Sequence, residues 1–215
     1  MKTVPPAKLE KIVESFLVGA DGSHDFDHTL RVVRNAVELC RKLPQADKEI
    51  VEAAALLHDI CRPAEDAAMG KGPCHAAAGA VRAEEIILQE GGCKEFAGRV
   101  SAAIARHRFR SGNKPVTIED AILYDADKLD SLGATGIGRA FLFAGKVGAK
   151  LHNSADKAVN SPAYSKEDTA WREYLVKLRH LPERMLTVPG REIAQERAAY
   201  MEDFFRRLQE ETGIS

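Results

Sequence analysis

The chain has 215 residues, and its 31 Lys and Arg nearly balance 32 Asp and Glu, for a formal net charge of -1. That length suits one well-buried domain and is short for two of average size. The even charge excludes a global field that would draw the protein to a nucleic acid polymer or an anionic membrane, so an anionic substrate has to be met locally. No apolar run approaches the length of a membrane span, and "MKTVPPAKLEKIVESF" lacks the apolar core of a signal peptide, so a cytoplasmic protein is expected. Cys40, Cys61, Cys74 and Cys93 show no Cys-x-x-Cys spacing. They are expected to be reduced, half-buried small hydrophobes rather than disulfides or a thiolate zinc site.

Apolar residues recur at helical period almost everywhere. Leu9, Ile12, Val13, Phe16 and Leu17 form the first stripe, closed by "GADG". Ser23 is the expected N-cap of a second helix, which carries Leu30, Val33, Val37 and Cys40 and ends near Pro44. Asp47 caps a third, "KEIVEAAALLHDI", expected to stop at Pro63 with His58 and Asp59 in its last turns. Gly70, Gly72 and Pro73 punctuate the following link. A fourth helix runs from near His75 to a Gly91-Gly92 C-cap, and a fifth carries Phe96, Val100, Ile104 and His107 until "SGNKP" breaks it. Thr117 and Asp120 form a capping-box variant for the sixth, which contains "AILYDADKLDSLGA". A seventh is read over Arg139 to Lys150, and "HNSADKAVNSPAYSKED" as a long mobile loop. Two more helices follow, the last with Ile193, Arg197, Tyr200, Met201, Phe204 and Leu208 in register. With no convincing strand, the fold class is all-α: one domain over 1–215, its chemistry-bearing residues within 23–135 and C-terminal helices over 168–212 packing on it.

Ionisable residues at positions that should be core need partners, because burying them unpaired is costly. His28 in the second helix, His58 and Asp59 at the end of an apolar run, Asp127 inside "ILYDADKL", and His75 and His107 between them are such residues. Two imidazoles and two carboxylates from three helices make a mixed nitrogen and oxygen site, suited to Mn, Fe, Co, Ni or Mg rather than to a thiolate-bound metal. Each residue alone has a plainer reading. A histidine on an apolar helix face is more often a hydrogen-bonded core residue, Asp125 and Asp127 fit a solvated face, and "RHRFR" fits cations at a helix C-terminus. The ordered set carries the stronger reading.

That ordered set resembles the H…HD…D pattern of the HD-domain metal-dependent phosphohydrolases. "FDHTLRVVRNA" is similar to the helix supplying their first histidine, "AALLHDI" to their HD helix, and "DADKLDSLGATGIGRAF" to their late aspartate segment. The tail from "YLVKLRHLPERM" resembles that of small single-domain bacterial members, although Ala170, Trp171, Glu173 and Tyr174 stand where similar proteins often carry His-Phe and Glu-Lys pairs.

The resemblance implies an all-α HD-domain fold and a metal held by His28, His58, Asp59 and Asp127, the last chosen over Asp125 because "ADKL" matches the family's Ala-Asp-x-Leu. His75 and His107 match two extra histidines that face substrate phosphates in single-metal members and bind a second ion in two-metal members. Asp59 is also a candidate proton acceptor, and Arg31 and Lys128 are candidate substrate cations. His24, Asp25 and Asp125 are expected to support the site, with helix capping as the plainer role for the first two. "GATGIG" follows no strand, so its likeness to a dinucleotide loop is spurious.

The expected reaction is hydrolysis of a phosphoester or phosphoanhydride in a nucleotide or nucleoside triphosphate, with a divalent ion activating water and polarising a phosphoryl oxygen. A di-iron HD-fold oxygenase and a catalytically weak nucleotide-binding protein are the alternatives. A homo-oligomer is compatible with the sequence and not specified by it.

Overall fold

The computed structural model describes residues 1–20, 24–68, 74–109 and 113–213, and among them the chain is helical with no strand, as expected. No helix of the described residues is long and apolar enough to cross a membrane. The chain forms two compact units, Met1–Asp127 and Lys128–Ser215.

The first unit opens with α1 (Pro6–Phe16), whose proline sits in the first turn, where a missing N–H costs nothing. Helix α2 (Phe26–Lys42) is capped by Asp25, whose carboxylate accepts the His28 N–H at 2.9 Å. Ser23, the expected cap, lies outside the described residues. Asp47 caps α3 (Lys48–Leu57) as expected, accepting from the Ile50 N–H. Ile50, Val51 and the run 53–57 are buried, so α3 is enclosed on nearly all sides and packs against α1 and α2.

Helix α3 ends at Leu57, with His58 at its C-cap and Asp59 in the turn beyond, rather than in its last turns. Pro63 starts a new short helix, α4 (Arg62–Ala67), instead of stopping the old one. A proline in a first turn has no intrahelical N–H to lose, which is why it marks beginnings as readily as ends. Of the breakers expected next, Gly70, Gly72 and Pro73 lie outside the described residues.

Helices α5 (His75–Gln89) and α6 (Lys94–Arg106) pack against each other, and α6 also packs against α3. Gly91, at φ +87°, turns the chain after α5 in a conformation that favours glycine. Gly79 brings α5 over the turn after α3, where a Cβ would stand 3.4 Å from the His58 carbonyl oxygen. The break after α6 falls partly on Ser111 and Gly112, outside the described residues. The capping box before α7 (Ile118–Leu129) is reciprocal: Asp120 N–H donates to Thr117 Oγ1 at 3.1 Å, and Thr117 N–H to Asp120 Oδ2 at 3.3 Å.

In the second unit α8 spans Gly133–Lys146 and so begins well before Arg139, with "GATGIG" inside it. Gly136 is required there, because a Cβ would stand 2.2 Å from the Ser131 carbonyl oxygen. The expected loop over 152–168 contains α9 (Ala155–Asn160), capped by the Ser154 side chain on the Lys157 N–H. Thr169 caps α10 (Ala170–Val176), and two single 3-10 turns lead to α11 (Val188–Thr212), which closes on left-handed Gly213. The buried stripe of α11 is Gly190, Ala194, Met201 and Phe205, whereas Tyr200, expected in the core register, is 56% exposed.

All four cysteines are free, as expected, with Cys40 buried and Cys74 exposed. Burial pushes the Cys40 thiol up to about 11, whereas the backbone N–H groups opening α6, Phe96 foremost, draw Cys93 below its usual range. A lowered thiol pKa means thiolate appears at lower pH. Alkylation with iodoacetamide, followed by mass spectrometry from pH 6 to 9, is expected to label Cys93 at lower pH than an unperturbed thiol and to leave Cys40 unlabelled in the folded protein. Equal labelling of the two at every pH would contradict this assignment.

Candidate metal centre

Five helices, α2, α3, α5, α6 and α7, bring ionisable side chains to one place. His28 comes from the first turn of α2, and His58 and Asp59 come from the turn after α3. His75 is the first residue of α5, His107 follows α6 at its C-cap, and Asp127 lies near the end of α7. The four histidines are 0 to 2% exposed and Asp59 is 4% exposed, so this is core in every sense except its chemistry. Asn35 of α2 donates to the Ala126 carbonyl oxygen at 3.1 Å, which ties α2 to α7 at the residue before Asp127.

Asp59 is the centre of the cluster. Its Oδ2 lies 3.6 Å from Nε2 of both His28 and His58, and its Oδ1 lies 2.9 Å from His75 Nε2 and 3.7 Å from His107 Nε2. One carboxylate oxygen therefore faces each pair of imidazoles. His28 Nε2 is also 3.7 Å from Asp127 Oδ1, which puts Asp127 on the first pair's side. Two groups can each hold a metal ion, His28 with His58 and Asp59, and Asp59 with His75 and His107.

Hydrogen bonds on the far side of each ring fix which nitrogen points inward. His58 Nδ1 is 2.8 Å from the Ala55 carbonyl oxygen and His107 Nδ1 is 2.7 Å from that of Ile104, so both Nδ1 atoms donate outward and both Nε2 lone pairs face the cluster. Burial is the largest influence on both rings. It pushes His58 down and, with the neighbouring His58 ring, takes His107 to about 3, so both are neutral near pH 7 and offer a lone pair. Burial also opposes the charge on Asp59, but hydrogen bonding from the His28 and His75 rings outweighs it and holds the carboxyl well below the usual range.

The residues fit a divalent cation. His58 Nε2 is buried and makes no hydrogen bond, a state that costs free energy unless a partner fills it. Imidazole nitrogen and carboxylate oxygen without thiolate are the donors of a borderline or hard divalent metal.

The remaining expected site residues are placed as follows. His24 lies edge-on to His28, with ring centroids 5.6 Å apart, and is partly exposed. Asp25 caps α2 through the backbone of His28, so the plainer capping role and support of the site are one interaction. Asp125 is fully buried, but two positions along a helix rotate a side chain by about 200°, so it faces away from Asp127. Arg31 follows His28 by three positions in α2, and Lys128 directly follows Asp127 in α7; both are partly exposed.

One residue that the sequence reading missed is Glu65 of α4. Its Oε2 accepts the His75 N–H at 2.7 Å and lies 2.7 Å from His75 Nδ1, while Arg108 Nη1 donates to Oε1 at 2.8 Å and to Oε2 at 2.9 Å. Burial opposes the Glu65 charge, yet the His75 N–H and the Arg108 guanidinium together hold its carboxyl down to about 2. Pro63 was the available signal, since a proline opening a helix would have placed Glu65 on a structured element. Arg106 is likewise committed, donating to Asp120 Oδ2 at 3.1 Å.

Comparison with known proteins identifies the family. The Bacillus subtilis protein YpgQ, whose function is uncharacterized, is 34% identical over 203 residues, spanning 93% of this chain and 89% of its own. The crystal structure of YpgQ in complex with ADP superposes with a TM-score of 0.74 at 32% identity, over 96% of this chain and 94% of that one. A predicted HD superfamily hydrolase from an uncultured Thermotogales bacterium gives a TM-score of 0.68 at 29% identity, over 95% and 91%. The yeast cyanamide hydratase DDI2 is 28% identical over 136 residues, 61% of this chain and 60% of its own. The HD domain family matches residues 25–132, a span that contains His28, His58, Asp59, His75, His107 and Asp127. The chain belongs to the HD domain family.

Proposed function

We propose that the protein is a metal-dependent phosphohydrolase acting on a nucleotide, with His28, His58, Asp59 and Asp127 as the metal ligands. The observation that carries this reading is the buried Asp59 carboxylate, with His28 and His58 on one oxygen and Asp127 beside His28. A divalent ion held there supplies water activation and polarisation of a phosphoryl oxygen.

The protein's own residues supply the rest. Asp59 stays ionised, and we assign to it, besides ligation, the role of accepting the proton released by the attacking water. Arg31, one turn after His28, and Lys128, directly after Asp127, are the cations proposed to balance charge on the phosphoryl oxygens. The nucleotide part of the proposal is supported by the ADP complex of YpgQ.

The second triad of donors, Asp59 Oδ1 with His75 and His107, favours two ions over one. Two irons with O2-dependent turnover would be an oxygenase, and two Mn, Co or Ni ions with O2-independent turnover a hydrolase.

The test is activity after metal stripping and refilling with Mn, on a panel of nucleoside mono-, di- and triphosphates with cyanamide included. Release of phosphate or pyrophosphate, abolished by chelator and restored by metal, is the expected result. Silence on every nucleotide with metal bound, or turnover of cyanamide alone, would overturn it.

A further inference from the structure

Glu65 grips one histidine at two points. A single oxygen, Oε2, takes the backbone N–H of His75 and faces the Nδ1 of its ring, each at 2.7 Å. Arg108, two helices further along the chain, clamps both oxygens of that carboxylate through Nη1. The assembly is nearly closed to water: the side chains of Glu65 and Arg108 are 11% and 13% exposed, and that of His75 is 2%.

The consequence lies on the other side of the ring. With Nδ1 directed at Glu65, His75 Nε2 stands 2.9 Å from Asp59 Oδ1 and 3.2 Å from His107 Nε2. His107 has the same orientation, because its Nδ1 is taken by the Ile104 carbonyl. Two imidazole lone pairs and a carboxylate oxygen at such distances repel one another unless a proton or a cation lies among them. A carboxylate behind a ligating imidazole fixes its tautomer and orientation and raises its basicity. Glu65 stands on the opposite face of the ring from Nε2, so it does this without reaching the pocket.

We infer that Glu65, anchored by Arg108, is a positioning residue that sets the affinity of the second cation pocket, formed by Asp59 Oδ1, His75 and His107. The inference rests on the reading of this cluster as a metal centre with room for two ions. It predicts a selective effect: Glu65 acts on the ion beside His75 and leaves the ion beside His28 and His58 as it was.

The experiment is titration of the metal-free full chain with Mn(II), read by metal counting after desalting and by the paramagnetic resonance signal of a coupled Mn pair. The wild type is expected to hold two ions per chain. Glu65→Gln, nearly isosteric but without the negative charge behind His75 and without the second oxygen that accepts from Arg108, is expected to hold the second ion about 10- to 100-fold more weakly. It should lose the coupled-pair signal and keep the first ion's affinity, with Glu65→Asp recovering part of the loss. Unchanged affinity for both ions in Glu65→Gln, or equal loss of both in a folded variant, would overturn the role of Glu65 while leaving the two-ion reading in place. A wild type that saturates at one ion would overturn the two-ion reading and this inference with it. If Glu65→Gln loses its helical circular dichroism, Arg108→Gln removes the clamp and keeps the carboxylate: selective loss of the second ion then supports the assignment, and retention of both overturns it.

Discussion

Asp59→Asn is expected to abolish turnover and high-affinity metal binding together. The carboxylate sits at the centre of the cluster, with one oxygen toward His28 and His58 and the other toward His75 and His107, and it is held ionised against the cost of burial. Asparagine keeps the volume and removes the charge, so helix content should survive while the site loses the anion that draws a cation in. A fall in kcat/KM of at least about a thousandfold is expected, the scale typical of removing a group from the reacting centre. Metal counting on the desalted variant separates the roles. Loss of ion with loss of rate supports a ligand, and retained ion with lost rate isolates the proton-accepting role. A variant with both metal and full rate would show that Asp59 is only a buried partner of the histidines.

The second large effect is structural. Phe205 is fully buried at the centre of an aromatic cluster, its ring stacked on Tyr174 at 4.5 Å between centroids, with Phe204 at 5.3 Å, Trp171 at 5.6 Å and Phe141 at 6.4 Å. Truncation to alanine removes a ring from a packed interior and leaves a cavity that its rigid neighbours cannot close. The expected cost is about 3–5 kcal/mol, a large part of a typical domain stability of about 5–15 kcal/mol. Trp171 is the one tryptophan in the sequence and borders this cluster, so its fluorescence during urea unfolding reports on the second unit. Tyr200→Ala, on the exposed face of the same helix, should stay within about 0.5 kcal/mol of the wild type. A Phe205→Ala protein that loses less than about 1 kcal/mol would mean that the cluster is not the packing centre of its unit.

That contrast marks where the sequence was hard to read. In α11 the buried stripe runs through Gly190 and Ala194, which carry little apolar weight, so the pattern found Met201 but took in Tyr200 and Phe204 and left out the buried Phe205. In α8 the start was read too late, at Arg139, and "GATGIG" lies inside the helix, where Gly136 clears the Ser131 carbonyl. Pro63 looked like a stop and proved a start, which hid α4 and with it Glu65.

Legible features were those with local physical causes. Asp47 and the Thr117–Asp120 box are caps whose bonds span three residues. His28, His58, Asp59 and Asp127 stood out because each interrupts an apolar stripe, and the structure brings His28 and His58 to Asp59 in the core, with the partly exposed Asp127 beside His28. The contact between Glu65 and His75 and the clamp from Arg108 depend on chain reversals between helices, and no periodicity encodes those.

The most direct measurement of the central claim is anomalous diffraction from crystals of the full chain grown with Mn(II), which locates each ion and the side chains bonded to it. The claim predicts an ion within bonding distance of His28, His58, Asp59 and Asp127. Ions bound only at other places on the chain, or none in crystals of protein saturated with metal in solution, would contradict it.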